Sequence, residues 1–166
     1  HASGGAIYQL DHGMPSGNPM TTIMNSIFGM IAFRLCWLKC SFGKYTTPSL
    51  ALKGFNEHVT LIMYGDDNVL NVSDWASEFF NQNSMMVHFS LFGLKYTSDQ
   101  KDDVNPPPYR DITEITFLKR SFRYCDVVGS YVAPLDKETI INMIHWTKKG
   151  GSSRSITIDN CNNAIR

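Results

Sequence analysis

The sequence predicts an α+β fold in which an antiparallel sheet carries two helices on one of its faces. Two apolar segments, Val59–Tyr64 and Asn68–Val72, flank a Gly-Asp-Asp tripeptide, a pattern typical of a β-hairpin with a tight turn. Apolar residues recur at helical spacing from Met20 to Trp37 and again after Asp74. With 166 residues, 43% of them hydrophobic, the chain is long enough to bury one core.

The predicted hairpin carries its charges only at its tip. Both arms are apolar with little alternation, which predicts strands that are covered on both faces. Gly65 permits the turn that directs Asp66 and Asp67 toward one point. Adjacent carboxylates suit Mg²⁺, which prefers oxygen ligands and is commonly held by one or two carboxylates and substrate phosphates. Asp and Gly are equally common in solvated turns, so the tripeptide alone leaves both interpretations open.

The first predicted helix, Met20–Trp37, has two faces of different character. Its small polar face contains Thr22, Asn25 and Gly29, and is either a packed or solvated surface or one that faces a bound ligand. The loop before the helix contains two prolines and two glycines, which leave backbone N–H groups free to hold an anion. The apolar face contains Ile23, Ile27, Ile31 and Leu35.

The rest of the chain is divided by turn residues into short segments. These segments are a strand at Ala6–Leu10, a connector at Cys40–Asn56, a helix from Ser73 or Asp74 to Gly93, a strand at Leu94–Thr97, a hairpin of Ile115–Arg123 with Gly129–Val132, and a helix at Asp136–Trp146.

Composition excludes several function classes. The formal net charge is zero, so no global attraction draws nucleic acid or an anionic membrane to the chain. Arg34 interrupts the most apolar segment, and we therefore predict no membrane span. The four cysteines lack zinc-ligand spacing, which favours reduced thiols. The chain opens at His1 without an initiator methionine, and we interpret it as a fragment of a longer polypeptide.

Four segments, taken in order, resemble the motifs of viral RNA-dependent RNA polymerases of the picorna-like order. The nearest resemblance is to the dicistrovirus and iflavirus type. Ser16–Ser26 is similar to motif B, Tyr64–Asp67 to motif C, Phe92–Lys101 to motif D and Phe117–Arg120 to motif E. Four motifs in the right order are far more specific than any one of them, and the resemblance covers nearly the whole chain.

The resemblance implies a fold, an activity and a set of partners. Residues 1–133 would form the palm subdomain of a right-hand polymerase, and residues 134–166 the start of a helical thumb. The parent protein would copy an RNA template by extending an RNA primer with ribonucleoside triphosphates, using Mg²⁺, for which Mn²⁺ can substitute. It would work in the host cell cytoplasm, in viral replication complexes that can include other viral proteins.

The resemblance also implies roles for charged residues. Asp66 would be a ligand of the catalytic metal ions, with Asp67 beside it as a secondary ligand. Lys101 would protonate the leaving pyrophosphate, a form of general-acid help typically worth about 10²- to 10⁴-fold. Lys119 and Arg120 would contact phosphates of the primer or nucleotide, which positions a strand without reading its sequence.

Further roles fall on the loop and helix of motif B. Asn25, with Ser16 and Thr21 nearby, would sense the ribose 2′-hydroxyl, the group that distinguishes RNA from DNA. The flexible loop at Ser16 and Gly17 would move during translocation.

One part of the family pattern is missing from the sequence. Motif A, which carries the first metal-binding aspartate, and the fingers with their basic residues lie upstream of motif B in the family, and nothing before His12 resembles them. We therefore expect these 166 residues to be inactive alone.

Two other functions fit part of the pattern. A reverse transcriptase also carries a Tyr-x-Asp-Asp hairpin, but Asn25 and the string Phe117–Arg120 argue against it. A non-catalytic palm-like module that binds RNA is the other alternative. The pair Asp66 and Asp67 argues against that module, because a purely binding surface gains nothing from negative charge beside phosphates.

Overall fold

The computed structural model describes residues 2–3, 6–7, 18–98, 106–145 and 153–165. The chain divides into two compact units, residues 1–96 and residues 97–166. Both combine helices with two-stranded antiparallel sheets, which confirms the α+β class. The predicted division into palm and thumb at residue 133 is a different boundary and stays a prediction.

The first unit contains four strands and four helices among its described residues. These elements are β1 (Ala2–Ser3), β2 (Ala6–Ile7), α1 (Thr21–Cys40), α2 (Pro48–His58), β3 (Val59–Tyr64), β4 (Asp67–Val72), α3 (Asp74–Ser77) and α4 (Gln82–Leu91). Among the described residues, strand β3 pairs with β4 only, and β1 with β2 only.

Helix α2 lies where the sequence predicts a connector, so that prediction is wrong. The helix begins at a local signal, because the Thr47 side chain accepts a hydrogen bond from the Leu50 N–H and Pro48 occupies the first turn. Its buried residues Ala51, Gly54 and Phe55 follow a helical spacing. The cap and the spacing are both visible in the sequence.

The predicted helix from Asp74 to Gly93 is two helices in the structure. The Asn81 side chain accepts a hydrogen bond from the Ser84 N–H, and the Ser84 hydroxyl accepts one from the Asn81 N–H. This reciprocal pair of hydrogen bonds is a capping box that begins α4 as a separate helix after α3. The predicted strand at Leu94–Thr97 has no ladder partner in the described part of the chain and is not a strand.

The core of the first unit is centred on Trp37 of α1, which is fully buried. Its indole N–H donates a hydrogen bond to the carbonyl oxygen of Ala51 in α2, over 2.7 Å. The indole ring also has edge contacts with Phe55 and Phe80, at centroid distances of 5.7 Å and 5.2 Å. Because aromatic side chains bury large areas, this cluster ties α1, α2 and the segment between α3 and α4 together.

The orientation of α1 corrects the prediction from its apolar stripe. The residues of α1 that enter the core are Ala32, Phe33, Cys36 and Trp37. The stripe that contains Ile27 and Ile31 is about half exposed (49% and 55%), together with Phe28. The inward face carries the large aromatic residues Phe33 and Trp37, and on the same side Gly29 lies against the Met63 methyl group of β3, with which an added Cβ would collide. The apolar face thus lacks a covering element within the described residues of this unit.

Helix α1 is, by length and composition, the one described helix that could cross a membrane, a property shared with core helices of soluble proteins and with signal sequences. Four of its residues lie in the core of the unit. The guanidinium of Arg34, within this helix, lies 4.8 Å from the centroid of the Phe55 ring. The absence of a membrane span stays a prediction.

The second unit contains two small hairpins, two α-helices and a short 3₁₀-helix (Ile112–Glu114) among its described residues. These are β5 (Thr116–Phe117) with β6 (Arg120–Ser121), β7 (Arg123–Cys125) with β8 (Ser130–Val132), α5 (Lys137–His145) and α6 (Ser153–Ile165). The single predicted hairpin is therefore wrong, because Thr116–Phe117 turns back at residues 118–119 before β7 begins. The predicted helix at Asp136–Trp146 is confirmed over Lys137–His145, and Trp146 lies outside the described residues.

Candidate metal-binding turn

The hairpin of β3 and β4 places the two predicted metal ligands at its tip. Tyr64 pairs with Asp67 in the ladder, which leaves Gly65 and Asp66 as a two-residue turn. Gly65 has a φ of +66°, whereas Asp66 is not among the described residues with positive φ. This combination fits a type II′ turn, which has glycine at its first central position and matches the twist of the strands.

The predicted covering of both hairpin faces is wrong for the described residues. Along β3, Thr60, Ile62 and Tyr64 are exposed, whereas Val59 is buried and the alternate positions Leu61 and Met63 pack on the core. The strand thus alternates between a packed and an open face, as expected for a two-stranded sheet with helices on one side.

Helix α1 holds the turn through Ser26. The hydroxyl oxygen of Ser26 accepts a hydrogen bond from the N–H of Gly65 over 2.8 Å, and its hydrogen is donated to the Thr22 carbonyl oxygen over 2.7 Å. Gly65 is buried, so its N–H would lose its partner if the hydroxyl were removed. The small polar face of α1 thus faces the turn and fixes its backbone.

We expect Ser26→Ala to lower the free energy of unfolding by about 1–3 kcal/mol, because a buried N–H is left unsatisfied. Equilibrium urea unfolding of the 166-residue chain measures the change. Ser90→Ala is the matched control, since the Ser90 hydroxyl is exposed and bonds only to the Val87 carbonyl oxygen of its own helix. Equal effects of the two substitutions would contradict the assigned role of Ser26.

A second side chain, Asn68, holds the turn from the opposite strand. The amide nitrogen of Asn68 donates to the carbonyl oxygen of Asp66 over 3.2 Å. Its amide oxygen accepts a hydrogen bond from the hydroxyl of Tyr96 over 3.0 Å. Burial raises the pKa of Tyr96 well above its ordinary range, with a smaller contribution from the neighbouring Cys36 side chain. The hydroxyl therefore stays protonated, and a donor, at neutral pH.

The raised pKa of Tyr96 predicts a loss of stability in alkali. Above pH 10, the ordinary pKa of the tyrosine hydroxyl, the unfolded chain releases this proton while the folded chain retains it, so unfolding becomes more favourable. We expect wild type to be more stable than Tyr96→Phe below pH 10, by about 0.5–1.5 kcal/mol. That advantage should shrink as the pH rises further. Urea unfolding of both chains from pH 7 upward measures it, and a constant difference would contradict the assignment.

The carboxylates of Asp66 and Asp67 are exposed, and neither has an ion-pair partner within the described residues. Two oxygen donors side by side fit a hard divalent cation. No group of three or more His, Cys, Asp or Glu side chains forms in the described part of the chain. A cation held here would therefore complete its shell from water, substrate phosphates or residues beyond those described.

The nucleotide-site residues predicted in motif B are described only in part. Thr21 is the first residue of α1, and its N–H donates to the Asn18 carbonyl oxygen over 3.0 Å. Asn25 is half-buried on the same helix, one residue before Ser26. Ser16 and Gly17 lie outside the described residues, as does Lys101 of motif D. The roles of these five residues stay predictions.

The predicted phosphate contacts lie in the second unit, at the turn between β5 and β6. Lys119 is exposed and, like Leu118, has a positive φ (61° and 52°), which costs a non-glycine residue energy. Its carbonyl oxygen accepts a hydrogen bond from the N–H of Asp136. The Arg120 guanidinium donates to the Ala133 carbonyl oxygen over 2.7 Å, so part of its donor capacity is used within the unit. Contact of either residue with RNA stays a prediction.

Sequence reasoning assigned no role to three residues that fix the turn: Ser26, Asn68 and Tyr96. Ser26 could have been suspected, because it follows Thr22 by one helical turn on the polar face. The bond between Asn68 and Tyr96 joins positions 28 apart in sequence, and no local pattern indicates it.

A hairpin that presents two adjacent carboxylates at its tip, and packs on a helix through small residues, is consistent with the palm of a template-directed polymerase. The chain belongs to the viral RNA-dependent RNA polymerase family, whose model matches residues 2–165. The family predicted from the four motifs is thereby confirmed.

The chain is similar to polyproteins of several insect viruses and related viruses. It is 36% identical to the replicase polyprotein of Acute bee paralysis virus (strain Rothamsted), over 99% of the chain and 9% of that polyprotein. It is 36% identical to the replicase polyprotein of Drosophila C virus (strain EB), over 96% of the chain and 9% of the polyprotein. It is 33% identical to the genome polyprotein of Deformed wing virus, over 96% of the chain and 5% of that polyprotein. The chain thus spans less than a tenth of each of these relatives.

Proposed function

We propose that the protein to which this chain belongs performs template-directed RNA synthesis from ribonucleoside triphosphates. The observation that carries the proposal is the pair of exposed carboxylates, Asp66 and Asp67, on a turn that α1 fixes through Ser26. Membership of the viral RNA-dependent RNA polymerase family supports it. Polymerases of this family use divalent metal ions, and Mg²⁺, with Mn²⁺ as a substitute, suits the oxygen donors of this turn.

In this proposal Asp66 is the principal metal ligand of the chain and Asp67 the secondary one. Bound divalent metal ions would activate the primer 3′-hydroxyl and neutralise charge on the nucleotide phosphates, as in other in-line phosphoryl transfers. The contribution of the chain is positional. Hydrogen bonds from Ser26 and Asn68 hold the backbone of the turn in place, so little backbone reorganisation would be needed when metal and nucleotide arrive.

The proposed roles of the other polar residues follow the order of the reaction. Asn25, with Ser16, Gly17 and Thr21 nearby, contacts the ribose of the incoming nucleotide and distinguishes the 2′-hydroxyl. As the bond to the leaving pyrophosphate breaks, Lys101 gives a proton to the pyrophosphate oxygen.

Two cationic residues are proposed to hold nucleic-acid or nucleotide phosphates. Lys119 is exposed and its amino group has no ion-pair partner within the described residues. Arg120 is also exposed, and the donors of its guanidinium beyond the bond to Ala133 are available for a phosphate.

The exposed apolar face of α1 supports the proposal that this chain functions as part of a larger protein. Apolar side chains along one face of a single helix form the kind of surface that another element normally covers. We propose that the upstream part of the parent polyprotein, which would carry motif A and the fingers, covers this face. The chain alone would then be inactive, because Asp66 and Asp67 lack the opposing ligand from motif A.

The exposed face predicts self-association of the isolated chain. We expect the 166-residue chain to form concentration-dependent oligomers, and Ile27→Glu/Ile31→Glu to be monomeric at the same concentration, because two charges prevent desolvation of the face. Sedimentation velocity of both chains measures this. Val127→Glu, which places a charge on a fully exposed side chain of the second unit, is the control and should associate like wild type. A monomeric wild type would contradict the prediction.

The proposed setting is a viral replication complex in the host cell cytoplasm. RNA template, RNA primer and ribonucleoside triphosphates are the proposed partners, and other viral replication proteins can take part.

The test of the proposed function is primer extension on an RNA template by the chain extended upstream to its natural fingers and motif A. We expect incorporation of ribonucleotides, strong preference over deoxynucleotides, and complete dependence on Mg²⁺ or Mn²⁺. Equal use of deoxynucleotides would favour a reverse transcriptase. RNA binding without incorporation, indifferent to Mg²⁺ in a folded and complete protein, would favour the non-catalytic module.

A further inference from the structure

A relay of two side-chain hydrogen bonds connects the core of the first unit to the backbone of the metal-binding turn. The hydroxyl of Tyr96 donates to the amide oxygen of Asn68 over 3.0 Å. The amide nitrogen of Asn68 then donates to the carbonyl oxygen of Asp66 over 3.2 Å. Tyr96 is thus linked to the residue that carries the principal carboxylate, although it lies far from it in the sequence.

The direction of each bond in the relay is fixed by the chemistry of the groups. An asparagine amide has a donating NH₂ group and an accepting oxygen. The Asp66 carbonyl oxygen can only accept, so the NH₂ group of Asn68 must face it. The Asn68 amide oxygen then faces Tyr96 and needs a donor, which the tyrosine hydroxyl supplies.

The position of the tyrosine hydroxyl is in turn set by the core. The Tyr96 ring stacks on Phe89, with 5.1 Å between ring centroids and an interplanar angle of 18°. The ring also has an edge contact with Phe33 of α1, with 5.7 Å between ring centroids and an interplanar angle of 86°. These contacts on two sides leave the ring little freedom to move, so the hydroxyl is a fixed anchor.

The acceptor of the relay lies at a critical point of the turn. The carbonyl group of Asp66 belongs to the peptide unit that joins Asp66 to Asp67, and a peptide unit rotates as one plane. A hydrogen bond that fixes this carbonyl therefore restricts the backbone that carries both carboxylates. Ser26 holds the preceding part of the turn through the Gly65 N–H, so the two contacts act on different peptide planes.

We propose that Tyr96 and Asn68 are positioning residues of the polymerase, which orient the peptide plane between Asp66 and Asp67 and so direct both carboxylates toward the metal ions. The inference rests on the proposed function, because it assigns a purpose to the geometry of the metal site. Neither residue needs to touch metal, nucleotide or RNA. Their effect is to raise the affinity of the site for its divalent cation by removing the freedom of the turn.

The first arm of the test measures the turn without relying on activity. In the ¹⁵N-labelled 166-residue chain carrying Ile27→Glu/Ile31→Glu to keep it monomeric, we expect Tyr96→Phe to shift the backbone amide resonances of Asp66 and Asp67 and to speed hydrogen exchange of the Asn68 side-chain amide. Tyr45→Phe is the matched control: it also removes one hydroxyl from the first unit, and it should leave these resonances unchanged. Unchanged Asp66 and Asp67 resonances in Tyr96→Phe would overturn the proposal.

The second arm measures metal dependence in the polymerase extended upstream to its natural fingers and motif A. We expect Tyr96→Phe to raise the Mg²⁺ concentration for half-maximal primer extension about two- to tenfold, the effect of losing one hydrogen bond. The rate at saturating Mg²⁺ should stay within about twofold of wild type, because the carboxylates themselves are intact. A residue that only stabilised the fold would not change the Mg²⁺ dependence of the folded enzyme.

A double variant shows whether the two residues act as one relay. Asn68→Leu keeps a similar volume and removes both hydrogen bonds, so Tyr96→Phe/Asn68→Leu should need no more Mg²⁺ than Asn68→Leu alone. Additive effects, or an unchanged Mg²⁺ requirement in an active Tyr96→Phe enzyme, would overturn the proposal. An inactive wild type would instead refute the proposed function, and the resonances of the isolated chain would still decide whether Tyr96 orients the turn.

Discussion

Replacement of Asp66 by asparagine is expected to reduce ribonucleotide incorporation at least about 10³-fold. Metal ions stabilise the charge that develops in phosphoryl transfer by several kcal/mol, and each 1.36 kcal/mol corresponds to a tenfold change in rate. Asparagine keeps the size and one oxygen of the side chain but removes the negative charge that attracts the cation. Single-turnover primer extension at saturating nucleotide, with the chain extended upstream to its natural fingers and motif A, measures the loss.

The matched control for this prediction is Asp74→Asn. Asp74 is also an exposed aspartate of the first unit, at the start of α3, so its replacement makes the same change in net charge. It should leave the incorporation rate within about twofold, as expected for a surface substitution away from the site. An Asp66→Asn enzyme as active as Asp74→Asn would mean that the turn holds no catalytic metal.

Trp37→Ala is expected to lower the free energy of unfolding by about 3–5 kcal/mol, the range for removing a large aromatic side chain from a core. Trp37 is fully buried, and its replacement leaves a cavity between Phe55 and Phe80 and removes the indole hydrogen bond to the Ala51 carbonyl oxygen. Urea unfolding of the 166-residue chain, followed by circular dichroism, measures the change.

Two companion variants separate the packing of Trp37 from its position on α1. Leu35→Ala, two residues earlier on the exposed face of the same helix, should change stability by no more than about 0.5 kcal/mol. Trp37→Phe retains an aromatic ring and loses the hydrogen bond to Ala51, so it should have an intermediate effect. Equal effects of Leu35→Ala and Trp37→Ala would contradict the assignment of Trp37 to the centre of the core.

The hairpin was predictable because its determinants are local. Two apolar segments around a glycine specify a turn, and the period of the strands then sets which residues pair. The predicted arms differ from β3 and β4 by one residue, since Asp67 pairs with Tyr64 and belongs to the second strand. The position of both predicted metal ligands at the tip could therefore be obtained from the sequence.

The burial of α1 was not predictable from its own sequence. Helical spacing correctly identifies the element, but the more apolar face, with Ile27 and Ile31, lies outward. The inward face was selected by fit, since Gly29 and Ser26 let the helix approach the hairpin closely enough to bond with Gly65. A prediction of burial from the hydrophobic pattern assumes that every apolar surface is covered by another part of the same chain. The prediction fails where the covering element belongs to another part of a longer protein.

The hydrogen bonds by which Asn68 and Tyr96 hold the turn also could not be predicted from the sequence. Asn68 follows the two aspartates and could be interpreted as an ordinary turn residue, and Tyr96 as one aromatic residue of a predicted strand. Their relation depends on the packing of Phe33 and Phe89 around the tyrosine ring, which is a tertiary feature. Motif resemblance predicted Asp66 and Asp67 as ligands but gave no indication of the side chains that bond to the turn.

The most direct test of the metal-binding turn is cleavage of the backbone by metal-bound radicals. Fe²⁺ would replace Mg²⁺ in the polymerase extended upstream to its natural fingers and motif A, and ascorbate with peroxide would generate hydroxyl radicals at the bound ion. We expect cuts within residues 64–68 that disappear with excess Mg²⁺ and in Asp66→Asn, but persist in Asp74→Asn. Cleavage confined to other segments, in an enzyme that still extends primers with Mg²⁺, would contradict the assignment of the metal site to Asp66 and Asp67.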